Sequence, residues 1–123
     1  MLKIHAKNLE TVVVLRLEGQ IVNGETEILR NAVNSVSEKS AVILDLARVT
    51  TVDAHGLGVM LELRERMLEQ GICFELMNVS KSMSRVLEIT RLDTVFEITS
   101  GVEFFPAISR GQRARMTPLR SCA

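Results

Sequence analysis

The hydrophobic and polar positions of this chain fall into short runs whose period changes repeatedly. Residues 2–8 alternate weakly, and Thr11 to Leu17 is a β-branched run, so both predict strands. Between 25 and 38, Leu29, Ala32, Val33 and Val36 fall on one side of a helix. Ala41 to Leu46 is almost uninterruptedly apolar, the pattern of a strand buried on both faces. A second helix is predicted from Gly56 to Gln70, closed by Gly71, which tolerates the left-handed conformation a helix terminus needs. Ile72 to Met77 predicts a strand. A third helix follows over 81–91, with Met83, Val86, Leu87 and Thr90 on one face and Ser80 as its N-cap. Val95 to Thr99 closes the series as a short strand.

The order is therefore β-β-α-β-α-β-α-β, an α/β fold. Strands separated by helices imply crossovers and a mixed, mostly parallel sheet packed with helices. Only Leu9 and Glu10 separate the first two strands, which predicts an antiparallel edge pair.

With 123 residues and 46% hydrophobic content, the chain suits one domain with its own core. Aromatics are 3%, with no Trp or Tyr, which excludes a base-stacking nucleic-acid module. The zero net charge is uneven. Residues 1–109 carry eleven basic and fifteen acidic side chains, a net of minus four. Residues 110–123 carry Arg110, Arg113, Arg115 and Arg120 and no acid. This divides the chain into a domain over 1–109 and a basic, flexible tail over 110–123.

The inventory for catalysis is thin. His5 and His55 are fifty residues apart, and no phosphate-cradling loop or nucleophile elbow is present. Asp53 and His55 supply two metal ligands at most, where zinc needs three or four. Asp45 and Asp53 have no neighbour in sequence that would tune them as an acid–base pair. Cys73 and Cys122 give neither metal spacing nor a disulfide framework, and Cys73 is expected to be a small buried hydrophobe. No metal or cofactor is expected, and no enzyme activity. The opening residues lack a secretory signal, and no run reaches the roughly 20 apolar residues of a membrane helix. A cytoplasmic protein is expected.

One segment combines features of a docking surface: Val52-Asp53-Ala54-His55-Gly56-Leu57-Gly58-Val59, between a buried strand and a helix. Free amides at a helix start favour negative charge, and the two glycines permit close approach of a neighbouring backbone or a ligand.

Asp53-Ala54-His55-Gly56-Leu57-Gly58 resembles Asp-Ser-Ser/Thr-Gly-Leu-Gly, the motif of the STAS domain family of bacterial anti-sigma factor antagonists. Gly19-Gln20-Ile21 followed by Glu27-Ile28-Leu29-Arg30 is similar to the family's first turn and first helix. Ala41 to Leu46 resembles its central strand, and Leu87, Leu92, Phe96 and Ile98 fit its closing pattern. The likeness spans about residues 3–99.

The resemblance implies a partner-binding domain without enzyme activity. The implied partner is an anti-sigma factor with a histidine-kinase-like ATPase fold, which phosphorylates the Ser following the motif Asp. The implied contact residues are Val22, Asn23, Asp53, Ala54, His55, Gly56, Leu57 and Gly58. Here the pattern departs from the family. Ala54 occupies the phosphosite, Val22 stands where an acid is usual, His55 replaces Ser or Thr, and Arg91 replaces a Gly after the third helix. Ala54 cannot gain the roughly −2 charge of a phosphate. The expectation is an antagonist not switched at that position, with Thr50, Thr51 and His55 as alternative acceptors. A scaffold subunit among other STAS proteins, self-association, or a cytoplasmic accessory subunit of a transporter are the alternatives. Neither nucleic acid nor membrane is an expected partner.

Overall fold

The computed structural model describes residues 1–99. Residues 100–123, with Phe104-Phe105-Pro106, the basic tail and Cys122, lie outside the described residues. The elements run β1 (Lys3–Leu9), β2 (Val12–Ile21), α1 (Glu27–Asn34), β3 (Ala41–Val52), α2 (Ala54–Glu69), β4 (Cys73–Met77) and α3 (Lys81–Ile89). A 3₁₀ turn over Leu92–Thr94 and β5 (Glu97–Thr99) follow.

The strands form one sheet in the order β1-β2-β3-β4-β5. β1 and β2 are antiparallel, with Leu9 opposite Val12, and every other pair is parallel. This is the expected mixed sheet, because helical crossovers bring successive strands back in the same direction.

Alternation along the strands creates two apolar layers. Val13, Leu15, Leu17, Val42, Leu44, Phe74 and Leu76 face one side and pack with Leu29, Val33, Met60, Leu63, Met67, Met83 and Leu87 from the three helices. Val12, Val14, Ala41, Ile43, Cys73 and Met77 face the other side. Ala41 to Leu44 are all fully buried, which explains the unbroken apolar run in β3. Burial of each large aliphatic side chain stabilises the fold by roughly 1.5–3 kcal/mol. Phe96 anchors the short β5 by packing against Phe74, ring centres 6.1 Å apart.

The helix ends follow local chemistry. The Ser80 hydroxyl accepts from the Met83 amide at 3.2 Å, and Gly71 has φ +77° after α2. Several boundaries differ from the pattern-based ones. β3 continues six residues past Leu46, because pairing of Val49, Thr51 and Val52 with β2 sustains it beyond the apolar run. The third helix stops at Ile89, and only Met83 and Leu87 of its expected face are buried. Val86 and Thr90 are exposed, and the Thr90 hydroxyl turns back to donate to the Val86 carbonyl at 2.8 Å. Arg91 occupies the left-handed region at φ +64°, at a cost of roughly 1 kcal/mol for a side chain with a Cβ. Cys73 is buried as expected but is disulfide-bonded, which corrects its reading as an unbridged hydrophobe.

Candidate functional site

The site forms where the loop after β2 meets the start of α2. Parallel pairing of β2 with β3 carries Ile21 beside Val52, so both chains leave the sheet at one edge. The Asp53 amide then donates to the Ile21 carbonyl at 3.3 Å. Asp53 itself is extended, at φ −101° and ψ −177°, and α2 begins at the next residue.

The Asp53 carboxylate uses its two oxygens for two tasks. Oδ1 accepts from the Gly56 amide at 2.8 Å and caps α2. Oδ2 accepts from the Asn23 amide at 3.1 Å, across the gap to the β2–α1 loop. These bonds favour the charged form, so the Gly56 amide first and the Asn23 amide second hold Asp53 below the usual carboxylate range. The nearby His55 ring acts in the same direction with a smaller effect.

Gly56 is required by contact. A Cβ there would stand 2.0 Å from the Ile21 carbonyl oxygen and 2.9 Å from its carbon. The absence of a side chain lets the helix backbone rest on the end of β2. Gly58 has nothing within 4 Å of where its Cβ would be, and it faces outward. Two glycines that look equivalent in the motif therefore have separate reasons.

Further contacts bind the same two segments. The Thr26 hydroxyl and His55 Nε2 lie 3.2 Å apart, although Thr26 is buried and His55 exposed. Arg30 in α1 donates to Glu62 in α2 at 3.1 Å and to Glu27 at 3.2 Å. The Glu25 amide closes the loop onto the Val22 carbonyl at 2.9 Å, with Gly24 at φ +95°. Glu25 also accepts from the Leu2 amide at 2.8 Å.

The structure thus brings all eight expected residues into one region with two layers. Asn23, Ala54, His55 and Gly58 are exposed, and Val22 and Asp53 are half-buried. Gly56 and Leu57 are buried beneath them, where they carry the packing of α2 on the sheet. Thr50 and Thr51 lie on exposed positions of β3, and the Thr50 hydroxyl donates to the Gly19 carbonyl at 3.2 Å. Asp45 is elsewhere, accepting from the Ala47 amide and the Asn78 side chain. Thr26 and Ile21 were missed by pattern reading. Thr26 carries a helix-start signal, but its His55 partner is twenty-nine residues away; Ile21 acts through its carbonyl, which any residue would supply.

Among the described residues, no group of three or more His, Cys, Asp or Glu could hold a metal ion. No helix there is long and apolar enough to cross a membrane. What remains at the surface is a group of small and polar residues, Asn23, Ala54, His55 and Gly58, around the N-terminus of α2.

The model of the STAS domain family matches residues 3–108, and this chain belongs to that family. Solved structures agree with the fold. An anti-sigma factor antagonist from Mycobacterium paratuberculosis is 18% identical, with 92% of this chain and 95% of that chain covered and a TM-score of 0.71. The phosphorylated form of the Bacillus cell fate determinant SpoIIAA is 20% identical, with 89% and 100% covered and a TM-score of 0.65. A sulfate transporter family protein from Wolinella succinogenes is 18% identical, with 84% and 89% covered and a TM-score of 0.71.

Proposed function

We propose that this protein is a cytoplasmic regulator of the anti-sigma factor antagonist kind, without enzyme activity. Its partner is an anti-sigma factor of histidine-kinase-like ATPase fold. Docking uses the platform of Val22, Asn23, Asp53, Ala54, His55 and Gly58, supported from below by Gly56 and Leu57. Binding sequesters the partner and frees the sigma factor it would hold.

The observation that carries this reading is the exposed first turn of α2, held to the β2–α1 loop through both oxygens of Asp53. A partner meets a preformed surface there and orders little on binding, which lowers the entropic cost. Position 54 lies in that turn as Ala, so a kinase-fold partner finds no hydroxyl to modify. Where a phosphate would add roughly two negative charges and alter docking, this surface stays as it is.

Titration calorimetry with a purified kinase-fold anti-sigma factor, with and without ATP, tests both parts. The wild-type protein binds equally well before and after incubation with ATP and gains no phosphate at residues 50–56. Ala54→Ser restores a phosphate acceptor, and its binding weakens after ATP. Gly58→Arg, built into open space, weakens binding at least tenfold with a melting temperature no lower than that of the wild type. Retained affinity in Gly58→Arg would move the interface away from α2. Phosphate on wild-type Thr50, Thr51 or His55 would replace the unswitched reading with a displaced switch.

A further inference from the structure

The sheet ends at β1, and among the described residues no strand lies beyond it. β1 pairs with β2 in unbroken antiparallel register, from Lys3 opposite Glu18 to Leu9 opposite Val12. Residues of an antiparallel strand turn their amide and carbonyl alternately toward and away from the partner strand. Every second residue of β1 therefore offers both groups to the outside, as a template for one more strand.

The two sides of this edge differ. Ile4, Ala6 and Asn8 lie on the side that carries the helices, opposite Leu17, Leu15 and Val13 of the main core. α1 leaves them partly uncovered: Ala6 and Asn8 are exposed, and Ile28 of α1 is 45% exposed. A cleft of about 590 Å³ runs there, lined by Ile4, Ala6 and Leu15 from the sheet, by Ile28 and Ala32 from α1, and by Val36 after it. Lys39 also lines it, with its ammonium donating to the Glu10 carbonyl at 2.8 Å. On the other side of the strand stand Lys3, His5 and Lys7, all exposed, and β1 contains no acid. Glu18, opposite Lys3, has Arg48 at 3.7 Å.

This distribution decides what can pair at the edge. A second copy adding its own β1, centred on His5, would set Lys3 against Lys7, and like charges opposite each other across a strand pair repel. An extended segment that alternates apolar with acidic residues suits both sides, because successive side chains of a strand point to opposite faces. Its apolar side chains enter the cleft beside Ile4 and Ala6, and its carboxylates lie next to Lys3, His5 and Lys7.

We propose that the outer edge of β1 and the cleft beside α1 form a strand-addition site for an extended segment of a partner protein that alternates apolar with acidic residues. Main-chain hydrogen bonds to β1 hold the segment, and the cleft and the basic row select it. The site shares no residue with the platform proposed at the start of α2.

The test uses the full chain and a fluorescent peptide alternating valine with glutamate. Anisotropy shows saturable binding, and amide hydrogen exchange within Lys3–Leu9 slows when the peptide is present. Three control peptides bind at least tenfold more weakly: one alternating valine with lysine, one of glutamate alone, and the valine–glutamate peptide N-methylated at alternate amides. Lys3→Gln combined with Lys7→Gln weakens binding at least fivefold, with the circular dichroism of the wild type. No binding, equal binding of any control peptide, slowed exchange only outside β1, or a dimer of this chain that protects the same edge would each overturn the proposal. The peptide comparisons need no variant.

Discussion

Helices α2 and α3 begin alike and are anchored differently. Each follows a parallel strand, each starts after an extended capping residue, and each cap accepts from the amide three residues on. At α3 the arrangement stays local. The Ser80 hydroxyl reaches the Met83 amide and lies 3.3 Å from the Ser82 hydroxyl. At α2 the cap is a carboxylate whose second oxygen holds the Asn23 amide, and the turn above it rests on the Ile21 carbonyl through Gly56. A hydroxyl cap can start a helix; a carboxylate can also tie that start to another segment. The second arrangement ties a helix end to a second segment, which is why the proposed docking surface is placed at α2.

The largest effect that separates the two helices is expected at Gly56. Gly56→Ala forces a methyl onto the Ile21 backbone and costs about 3 kcal/mol, read from urea denaturation. A cost near that of an ordinary surface change would mean that α2 does not rest firmly on β2.

Next comes Asp53→Ala, which removes the cap and the link to Asn23 together. Its melting temperature falls further than that of Ser80→Ala at pH 7. The difference depends on pH with a definite sign. Folding lowers the pKa of Asp53, so its contribution is present above the ordinary aspartate range and is lost as pH falls through the depressed native value. Melting curves of wild type and Asp53→Ala therefore converge in strong acid. A gap that stayed constant to pH 2 would show that the charge of Asp53 is irrelevant to its role.

Ser80→Ala is expected to cost about 1 kcal/mol, a local capping loss, with no change in partner affinity. Chemical denaturation and calorimetry check the two halves of that statement separately. Gly58→Ala has the smallest effect and the opposite sign. Its site is open and helical, so a methyl stabilises by up to about 1 kcal/mol. Destabilisation there would show that the second motif glycine is needed for the fold after all.

Much of this molecule was legible in the order of residues. The eight-element succession, the antiparallel first pair, the doubly buried β3, the Ser80 cap and the left-handed Gly71 all follow from local chemistry. The start of α2 at Asp53 was legible as well, because a helix start with Asp and two glycines has a local signature. The exposed Val86 and Thr90 were not legible, since a helical stripe does not say how much of it the neighbours reach. The Thr26–His55 contact and the split roles of Gly56 and Gly58 were not legible either.

The chain's sequence determined its periods, its caps and the absence of a hydroxyl at position 54, since each depends on a residue and its near neighbours. Only the tertiary structure decided that Asn23 meets Asp53, and that Gly56 bears on Ile21 while Gly58 faces open space. Those outcomes depend on the register of β2 against β3 and on which face each helix covers, and no local pattern encodes either.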